Sequence, residues 1–242
     1  MTTSGLLFDL YGTLLDIDVN EQDDATWAAV ADFLHRNGAA HVEPQALHRR
    51  FREIASQPFV KSREGFVLHF LVESLLREFL GRSSTQLIRT FTETFRSASI
   101  RSLDLRPYAL PLLKKAKEAG RRVAIVSNTE ALVTRVDLRV AGLASEVDAI
   151  VLSSQVGSKK PSRHIFSIAL RKLAVRADQS IFCGDDWEAD ILGAVGAGLS
   201  AVHLDKHVAI GAVEQTSFPR AVKAHPDIDA IEIALNSLGA PL

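Results

Sequence analysis

Acidic, polar and basic side chains follow the ends of four short apolar runs in this sequence. They are Asp9 after residues 5–8, Ser127 and Asn128 after residues 122–126, Lys160 beyond residues 149–152, and Asp185 after residues 181–184. If the runs are parallel strands of one sheet, their carboxyl ends meet at one edge, where ligands bind. Carboxylate, hydroxyl, amide and ammonium groups brought together there suit a divalent cation and an anionic substrate.

The elements that would position these side chains alternate along the chain after residue 120. The runs are predicted as strands at residues 122–126, 149–152, 181–183 and 201–204, and as helices at residues 130–140, 162–173 and 187–197. Such alternation is typical of parallel strands joined by crossover helices. We therefore predict an α/β fold with a doubly wound parallel sheet. Residues 5–8 would add one more strand, with sheet neighbours from much later in the chain.

Residues 16–102 interrupt this pattern after the first strand. Apolar residues recur there at helical spacing in four segments, residues 27–34, 47–54, 66–80 and 87–95. We predict an inserted, almost wholly helical cap at residues 16–102 and a catalytic core formed by residues 1–15 and 103–242. Within the core, residues 207–227 are predicted as a loop-rich excursion before a last helix at residues 228–238.

The composition limits the partners that this chain can bind. Its 242 residues are 47% hydrophobic and 24% charged, with a formal net charge of -1, which gives no excess of positive charge for binding polyanions. No apolar run approaches the roughly 20 residues that span a bilayer, and the single Cys183 excludes an internal disulfide. We expect a cytoplasmic monomer or homodimer that binds a small anionic substrate, and neither nucleic acid nor a membrane.

In their order along the chain, the four groups of residues resemble the sequence motifs of the haloacid dehalogenase (HAD) superfamily. The corresponding stretches are residues 8–14 (FDLYGTL), 126–129 (VSNT), 160–161 (KP) and 184–190 (GDDWEAD). The resemblance implies a hydrolase with a HAD-type Rossmann-like core and an inserted cap. It also implies that Asp9 is a nucleophile, which would divide phosphoester cleavage into formation and hydrolysis of an aspartyl intermediate.

The same resemblance implies a magnesium site. Mg²⁺ would be held by Asp9, by the backbone carbonyl of Tyr11 and by Asp185, while Asp190 or Asp186 would support it through water. Mg²⁺ keeps several of its waters and uses only one or two carboxylates in many enzymes. The implied set of ligands is therefore chemically sufficient.

Three further residues receive roles from the resemblance. Lys160 would lie beside Asp9 and stabilise the negative charge of the nucleophile and of the bound group. Ser127 and Asn128 would bind substrate oxygens. A second interpretation of Ser127 and Asn128 stays open, because both side chains are also suited to capping the helix that follows them.

Tyr11 stands where the phosphatases of this superfamily carry an Asp that serves as general acid and base. The L-2-haloacid dehalogenases carry Tyr there, but a Ser/Asn-containing sequence replaces the acids of their fourth motif. A phenol with a pKa near 10 is possible as a proton donor but poor as a base at neutral pH.

The acids decide the prediction, because Asp185, Asp186 and Asp190 near Asp9 would repel one another without a cation. We predict Mg²⁺-dependent hydrolysis of a small phosphorylated metabolite. The alternatives are an L-2-haloacid dehalogenase-like carbon-halide hydrolase and a non-catalytic binding or regulatory protein.

Overall fold

The computed structural model describes residues 5–57 and 67–242. The strands in this part of the chain are β1 (Gly5–Phe8), β2 (Leu15–Val19), β3 (Ile100–Leu105), β4 (Arg122–Ser127), β5 (Ala149–Leu152), β6 (Ser180–Gly184), β7 (Ser200–Leu204), β8 (Val213–Gln215) and β9 (Ala221–Ala224). The longer helices are α1 (Asp24–Arg36), α2 (Pro44–Ser56), α3 (Val67–Leu80), α4 (Thr85–Ser99), α5 (Ala109–Glu118), α6 (Ala131–Val140), α7 (Arg163–Leu173) and α8 (Ile228–Ser237).

Seven strands form one sheet in the order β5-β4-β1-β6-β7-β9-β8. Six of them are parallel, and β8 pairs antiparallel with β9 at one edge. The first strand pairs with β4 on one side and β6 on the other, so its neighbours come from later in the chain, as predicted. The doubly wound parallel sheet is confirmed, and the ends of β1, β4 and β6 lie side by side.

The central strands are buried on both faces, as expected for a parallel sheet between helices. Leu6, Leu7 and Phe8 of β1 have no exposed surface. Phe182 of β6 packs edge-on against Phe166 of α7, with ring centroids 5.3 Å apart. This packing fixes the strand ends that carry the predicted site residues.

The structure adds strands to two of the predicted segments. Residues 207–227, predicted as loop-rich, also contain β8 and β9, which extend the sheet beyond β7. The segment at 16–102, predicted as almost wholly helical, has β2 and β3 at its two ends, and these form a separate two-stranded sheet. Strands of three to six residues are too short to show clear periodicity, and pairing partners distant in the sequence stabilise them.

The described chain divides into two compact units. One comprises Met1–Asp16, Asp104–Thr129 and Ala141–Leu242, and the other comprises Ile17–Leu103 and Glu130–Val140. Helix α6 therefore packs with the helices of the insert, and its principal neighbour is α4. The boundaries predicted for core and cap stay a prediction, and Phe66, the predicted start of the third insert helix, lies outside the described residues.

The unit that contains the insert has its own aromatic core. The Trp27 ring of α1 stacks on His48 of α2 at 4.6 Å between centroids and packs against Phe95 of α4 at 5.6 Å. A buried ion pair joins α4 to α6, where Arg96 Nη2 lies 2.6 Å from Asp137 Oδ2 and the Asp137 side chain has no exposed surface. Such a pair costs much free energy to desolvate, so the loss of one partner is strongly destabilising.

We expect Asp137→Asn to lower the free energy of unfolding by about 3 to 5 kcal/mol, because the buried Arg96 charge would lose its close, fully buried counter-charge and retain the more distant and more exposed Glu21, whose Oε1 lies 3.7 Å from Arg96 Nη1. A matched control is Glu93→Gln, which breaks the exposed Arg139–Glu93 pair between the same two helices and is expected to cost less than about 1 kcal/mol. Urea unfolding followed by fluorescence in a Trp187→Phe background, where Trp27 is the remaining tryptophan, measures both. Equal losses in the two variants would contradict the buried pair's contribution.

Candidate active site

Asp9 lies directly after β1, at the centre of the sheet edge. Its backbone N–H donates to the Cys183 carbonyl of the neighbouring β6 at 2.9 Å, which continues the strand pairing by one residue. Its residue surface is 8% exposed, so the carboxylate lies at the floor of a cavity. The parallel sheet therefore fixes the Asp9 backbone before any ligand binds.

Lys160 is the buried cation of the site. Its Nζ donates to Asp9 Oδ1 at 2.5 Å and lies 2.6 Å from Asp190 Oδ1. Burial opposes the charged form of Lys160, but the Asp9 and Asp190 carboxylates favour it more strongly, and its pKa is raised. Lys160 is therefore charged at neutral pH and bridges the carboxylate that follows β1 and a carboxylate of the helical turn Trp187–Leu192 after β6.

Asn128 holds the backbone of Lys160 in place. Its Nδ2 donates to the Lys160 carbonyl at 2.9 Å, and its Oδ1 accepts from the Lys160 N–H at 2.7 Å. Both groups of the amide are thus engaged by the main chain of the lysine. The contact between Asn128 and a substrate stays a prediction. Ser127, the last residue of β4, is 2% exposed and lines the same cavity as Asn128.

Three carboxylates converge beside Lys160. Asp9, Asp185 and Asp190 each offer an oxygen within 4.8 Å of the others. Thr13 donates its hydroxyl to Asp185 Oδ1 at 3.1 Å, and the Asp186 N–H donates to Asp190 Oδ2 at 3.1 Å. Backbone and hydroxyl donors therefore orient two of the three acids.

Two glycines let the backbone approach these acids. A Cβ atom on Gly12, whose φ is +83°, would lie 2.5 Å from Asp185 Oδ2, and a Cβ on Gly184 would lie 2.3 Å from Asp190 Oδ2. Both contacts are shorter than the structure tolerates, so any larger residue would displace an acid. The sequence alone gave no role to Gly12, Thr13 or Gly184, and their places beside Asp9 and Asp185 were the available signal.

Burial, and to a lesser extent repulsion from Asp9, disfavour the charged forms of Asp185 and Asp190. Burial raises the pKa of Asp185, and the Asp9 carboxylate raises it further. Burial also raises the pKa of Asp190, to about 7, against the opposing effect of Lys160. Asp190 Oδ1 lies near Lys160 Nζ but accepts no hydrogen bond of regular geometry among the described residues.

These features fit a divalent cation. Carboxylate oxygens are the ligands that hard divalent cations prefer, and one lysine balances only part of the charge of three carboxylates. The acidic set can therefore hold a divalent metal ion.

A cavity of about 230 Å³ brings the predicted residues together. All seven predicted site residues line it, namely Asp9, Tyr11, Ser127, Asn128, Lys160, Asp185 and Asp190. Asp186 also lines the cavity, but its Oδ1 accepts from the Glu188 and Ala189 N–H groups at 2.9 and 2.8 Å. Asp186 thus caps the π-helical turn Trp187–Leu192, which leads into Gly193–Gly196 where one regular helix was predicted.

Comparison with known proteins identifies the family that carries this arrangement. A family profile described as haloacid dehalogenase-like hydrolase matches residues 3–198. The chain belongs to the haloacid dehalogenase-like hydrolases. The resemblance found in the four motifs is thereby confirmed, and the protein is a hydrolase.

Individual relatives within the family differ in reaction and in coverage. Ribulose-1,5-bisphosphate 5-phosphatase of Halopiger xanaduensis is 34% identical over 113 residues, which are 47% of this chain and 47% of that protein, so the chain spans about half of its length. Glyceraldehyde 3-phosphate phosphatase of Methanothermobacter thermautotrophicus is 28% identical over 80% of this chain and 84% of the relative. (S)-2-haloacid dehalogenase 1 of Pseudomonas sp. (strain CBS-3) is 27% identical over 83% of both.

The crystal structure of 2-haloacid dehalogenase from Pseudomonas syringae pv. Tomato DC3000 has the same fold as this chain. The TM-score is 0.64 with 23% identity, over 98% of this chain and 99% of that chain. This similarity confirms the Rossmann-like α/β fold of the HAD hydrolases.

Among the helices of the described residues, none combines the length and the hydropathy needed to cross a bilayer.

The raised pKa values of Asp190 and Asp185 predict that binding of a divalent cation depends on pH. Below about pH 7 a cation must displace a proton from Asp190. We therefore expect the dissociation constant of Mn²⁺, used as a probe, to rise roughly tenfold for each pH unit below 7 when one proton is displaced. Calorimetric titration between pH 5.5 and 8 measures it.

The metal-free protein provides a second measurement of the same pKa shift. The folded chain binds more protons than the unfolded chain between the ordinary Asp190 pKa of 3.8 and its raised value of about 7. The contribution of Asp190 to the free energy of unfolding is therefore present at low pH and is lost as pH rises through 7. Asp190→Asn should flatten both pH profiles. Identical slopes in Asp190→Asn and wild type would contradict the assignment.

Proposed function

We propose that this HAD hydrolase is a Mg²⁺-dependent phosphatase that acts on a small phosphorylated metabolite through an aspartyl intermediate on Asp9. One observation carries the proposal. Three carboxylates offer oxygens within 4.8 Å of one another beside the buried Lys160, an arrangement that a cation would stabilise. A reaction that displaces halide from carbon has no need of such a cluster.

Asp9 is the proposed nucleophile. One of its carboxylate oxygens would bond to phosphorus while the ester oxygen leaves, and a water would then attack phosphorus and release inorganic phosphate. Lys160 donates to Asp9 Oδ1, so the other carboxylate oxygen, Oδ2, is the better candidate for the attack. Ser127 at the end of β4 would donate to oxygens of the transferring group.

The metal site would use Asp9 and Asp185 as carboxylate ligands, together with the Tyr11 carbonyl. Asp190 would support these ligands from its position beside Lys160. A bound Mg²⁺ would neutralise charge as the anionic substrate approaches the anionic nucleophile. Thr13 and the Asp186 N–H would keep Asp185 and Asp190 oriented for this purpose.

Tyr11 makes the leaving group important. An alkoxide needs a proton as it leaves, and the phenol is less suited than a carboxylic acid to giving that proton and then activating water. The proposed phosphatase should therefore favour esters with good leaving groups. The phosphatase relatives support this reaction class, and the metabolites in their names belong to those proteins.

A second candidate function, hydrolysis of a 2-haloacid, is favoured by Tyr11 itself. Halide leaves without a proton, so this reaction does not need a proton-donating Asp at residue 11 and is compatible with Tyr11. The haloacid dehalogenase relative, which is similar over 83% of the chain, supports this alternative. Metal dependence separates the two reactions.

We expect wild type to hydrolyse an aryl phosphate with Mg²⁺ and to lose this activity in chelator. Asp9→Asn should lower kcat by about 10³-fold or more, since it removes the nucleophile. The matched control is Asp178→Asn, an exposed acid paired with Arg176, which should retain wild-type activity. Turnover of 2-chloropropionate in chelator, without hydrolysis of any phosphate ester, would replace the phosphatase with the dehalogenase.

The Tyr11→Asp variant tests the leaving-group argument. A positioned general acid and base contributes about 10² to 10⁴-fold, so Tyr11→Asp should raise Mg²⁺-dependent hydrolysis of an alkyl phosphate by on the order of 10²-fold and change an aryl phosphate much less. Tyr11→Asn is the control, because the Asn side chain is similar in size to Asp but is not a general acid or base. Equal gains in the two variants, or none in either, would show that proton transfer at residue 11 does not limit the reaction.

A further inference from the structure

The peptide group between Asp185 and Asp186 is held from both sides. Its N–H donates to Asp190 Oδ2 at 3.1 Å. Its carbonyl lies 3.0 Å from His203 Nε2. A carbonyl oxygen only accepts hydrogen bonds, so Nε2 must carry the proton and His203 is the donor. One peptide plane therefore links a histidine of β7 to two of the three clustered acids.

The strand register explains why this histidine is needed. Gly184 is the last residue of β6 to pair with β7, and its partner there is His203. The carbonyl of Asp185 lies one residue beyond this pairing, where the sheet no longer supplies a backbone donor. The side chain of His203 takes over, since its Nε2–H satisfies a carbonyl that would otherwise lose a partner at the sheet edge.

The imidazole ring is itself fixed in orientation. His203 is only 8% exposed, and the Trp187 ring packs against it edge-on, with centroids 5.3 Å apart. Phe218 packs against the same Trp187 ring at 5.7 Å. A ring confined in this way keeps its N–H directed at the Asp185 carbonyl.

We infer that His203 is a positioning residue of the metal site, which orients Asp185 and Asp190 through the peptide that joins Asp185 to Asp186. Acceptance of a hydrogen bond at the carbonyl polarises the peptide and strengthens donation by its N–H to Asp190. His203 itself contacts neither the reacting atoms nor the acid side chains through this bond. The inference deepens the proposed function and rests on it for the metal, although the hydrogen bond exists without one.

Two substitutions separate the hydrogen bond from ring packing. His203→Phe keeps a ring against Trp187 and removes the donor, while His203→Gln removes the ring and keeps an amide donor. Substitution of the groups that orient metal ligands typically lowers metal affinity by 10- to 100-fold. We expect His203→Phe to weaken Mn²⁺ binding about tenfold and His203→Gln to weaken it less, whereas the thermal midpoint should fall more in His203→Gln.

A control variant and a metal-free measurement complete the test. Phe218→Leu loosens the packing on Trp187 without touching the Asp185 carbonyl, and it should leave Mn²⁺ affinity unchanged. In chelator, exchange of the Asp186 amide hydrogen, followed by NMR, should be faster in His203→Phe than in wild type or Phe218→Leu. This second measurement decides the positioning role even if the wild-type protein binds no metal.

The outcomes divide clearly. Weaker Mn²⁺ binding and faster Asp186 exchange in His203→Phe alone support the inference. Unchanged Asp186 exchange in His203→Phe overturns the inference. A larger loss of Mn²⁺ affinity in His203→Gln and Phe218→Leu than in His203→Phe also overturns it, because ring packing would then set the affinity. If Asp186 exchange in chelator is faster in His203→Phe alone but the wild-type protein binds no Mn²⁺, the positioning role stands and the metal site of the proposed function is rejected.

Discussion

The structure of this site is governed by the repulsion between three carboxylates held close together. Asp9, Asp185 and Asp190 offer oxygens within 4.8 Å of one another, and among the described residues Lys160 is the cation inserted between Asp9 and Asp190. Charges at such separations in a partly buried site interact by several kcal/mol. The raised pKa values of Asp185 and Asp190 show that the protein holds acids where their charged forms are disfavoured. A bound cation would relieve this repulsion.

Hydrogen bonds that involve main-chain groups hold Lys160 and Asp190 in place. Asn128 bonds both main-chain groups of Lys160, and the N–H of Asp186 bonds Asp190. Two glycines, Gly12 and Gly184, leave the space that the acids occupy. Asp190 is thus oriented by the Asp186 peptide, Asp185 is oriented by the Thr13 hydroxyl, and the Asp9 backbone is held by pairing with β6. Preorganised dipoles of this kind need no rearrangement when charge develops during a reaction.

Tyr11 shows how chemistry and fold vary separately within one family. The sheet, the lysine and the acids are compatible with phosphoryl transfer, while in the proposed reaction the residue two positions after Asp9 would control how protons reach a leaving group. The solved structure of a 2-haloacid dehalogenase shares the fold, and the sequence relatives include both phosphatases and a dehalogenase. A few side chains at the sheet edge would therefore decide between the two proposed reactions, as is usual when one fold supports several functions.

The sequence by itself determined the parallel sheet, the pairing of β1 with strands from later in the chain and seven of the residues that line the cavity, because β-rich runs, crossover helices and polar strand ends are local patterns. It did not reveal β8 and β9, whose stability comes from pairing with β7 and with each other. Nor did it reveal that α6 packs with the insert, or that His203 bonds the Asp185 carbonyl. Such contacts join residues far apart in the chain, and their distances follow only from the register and packing of the folded sheet.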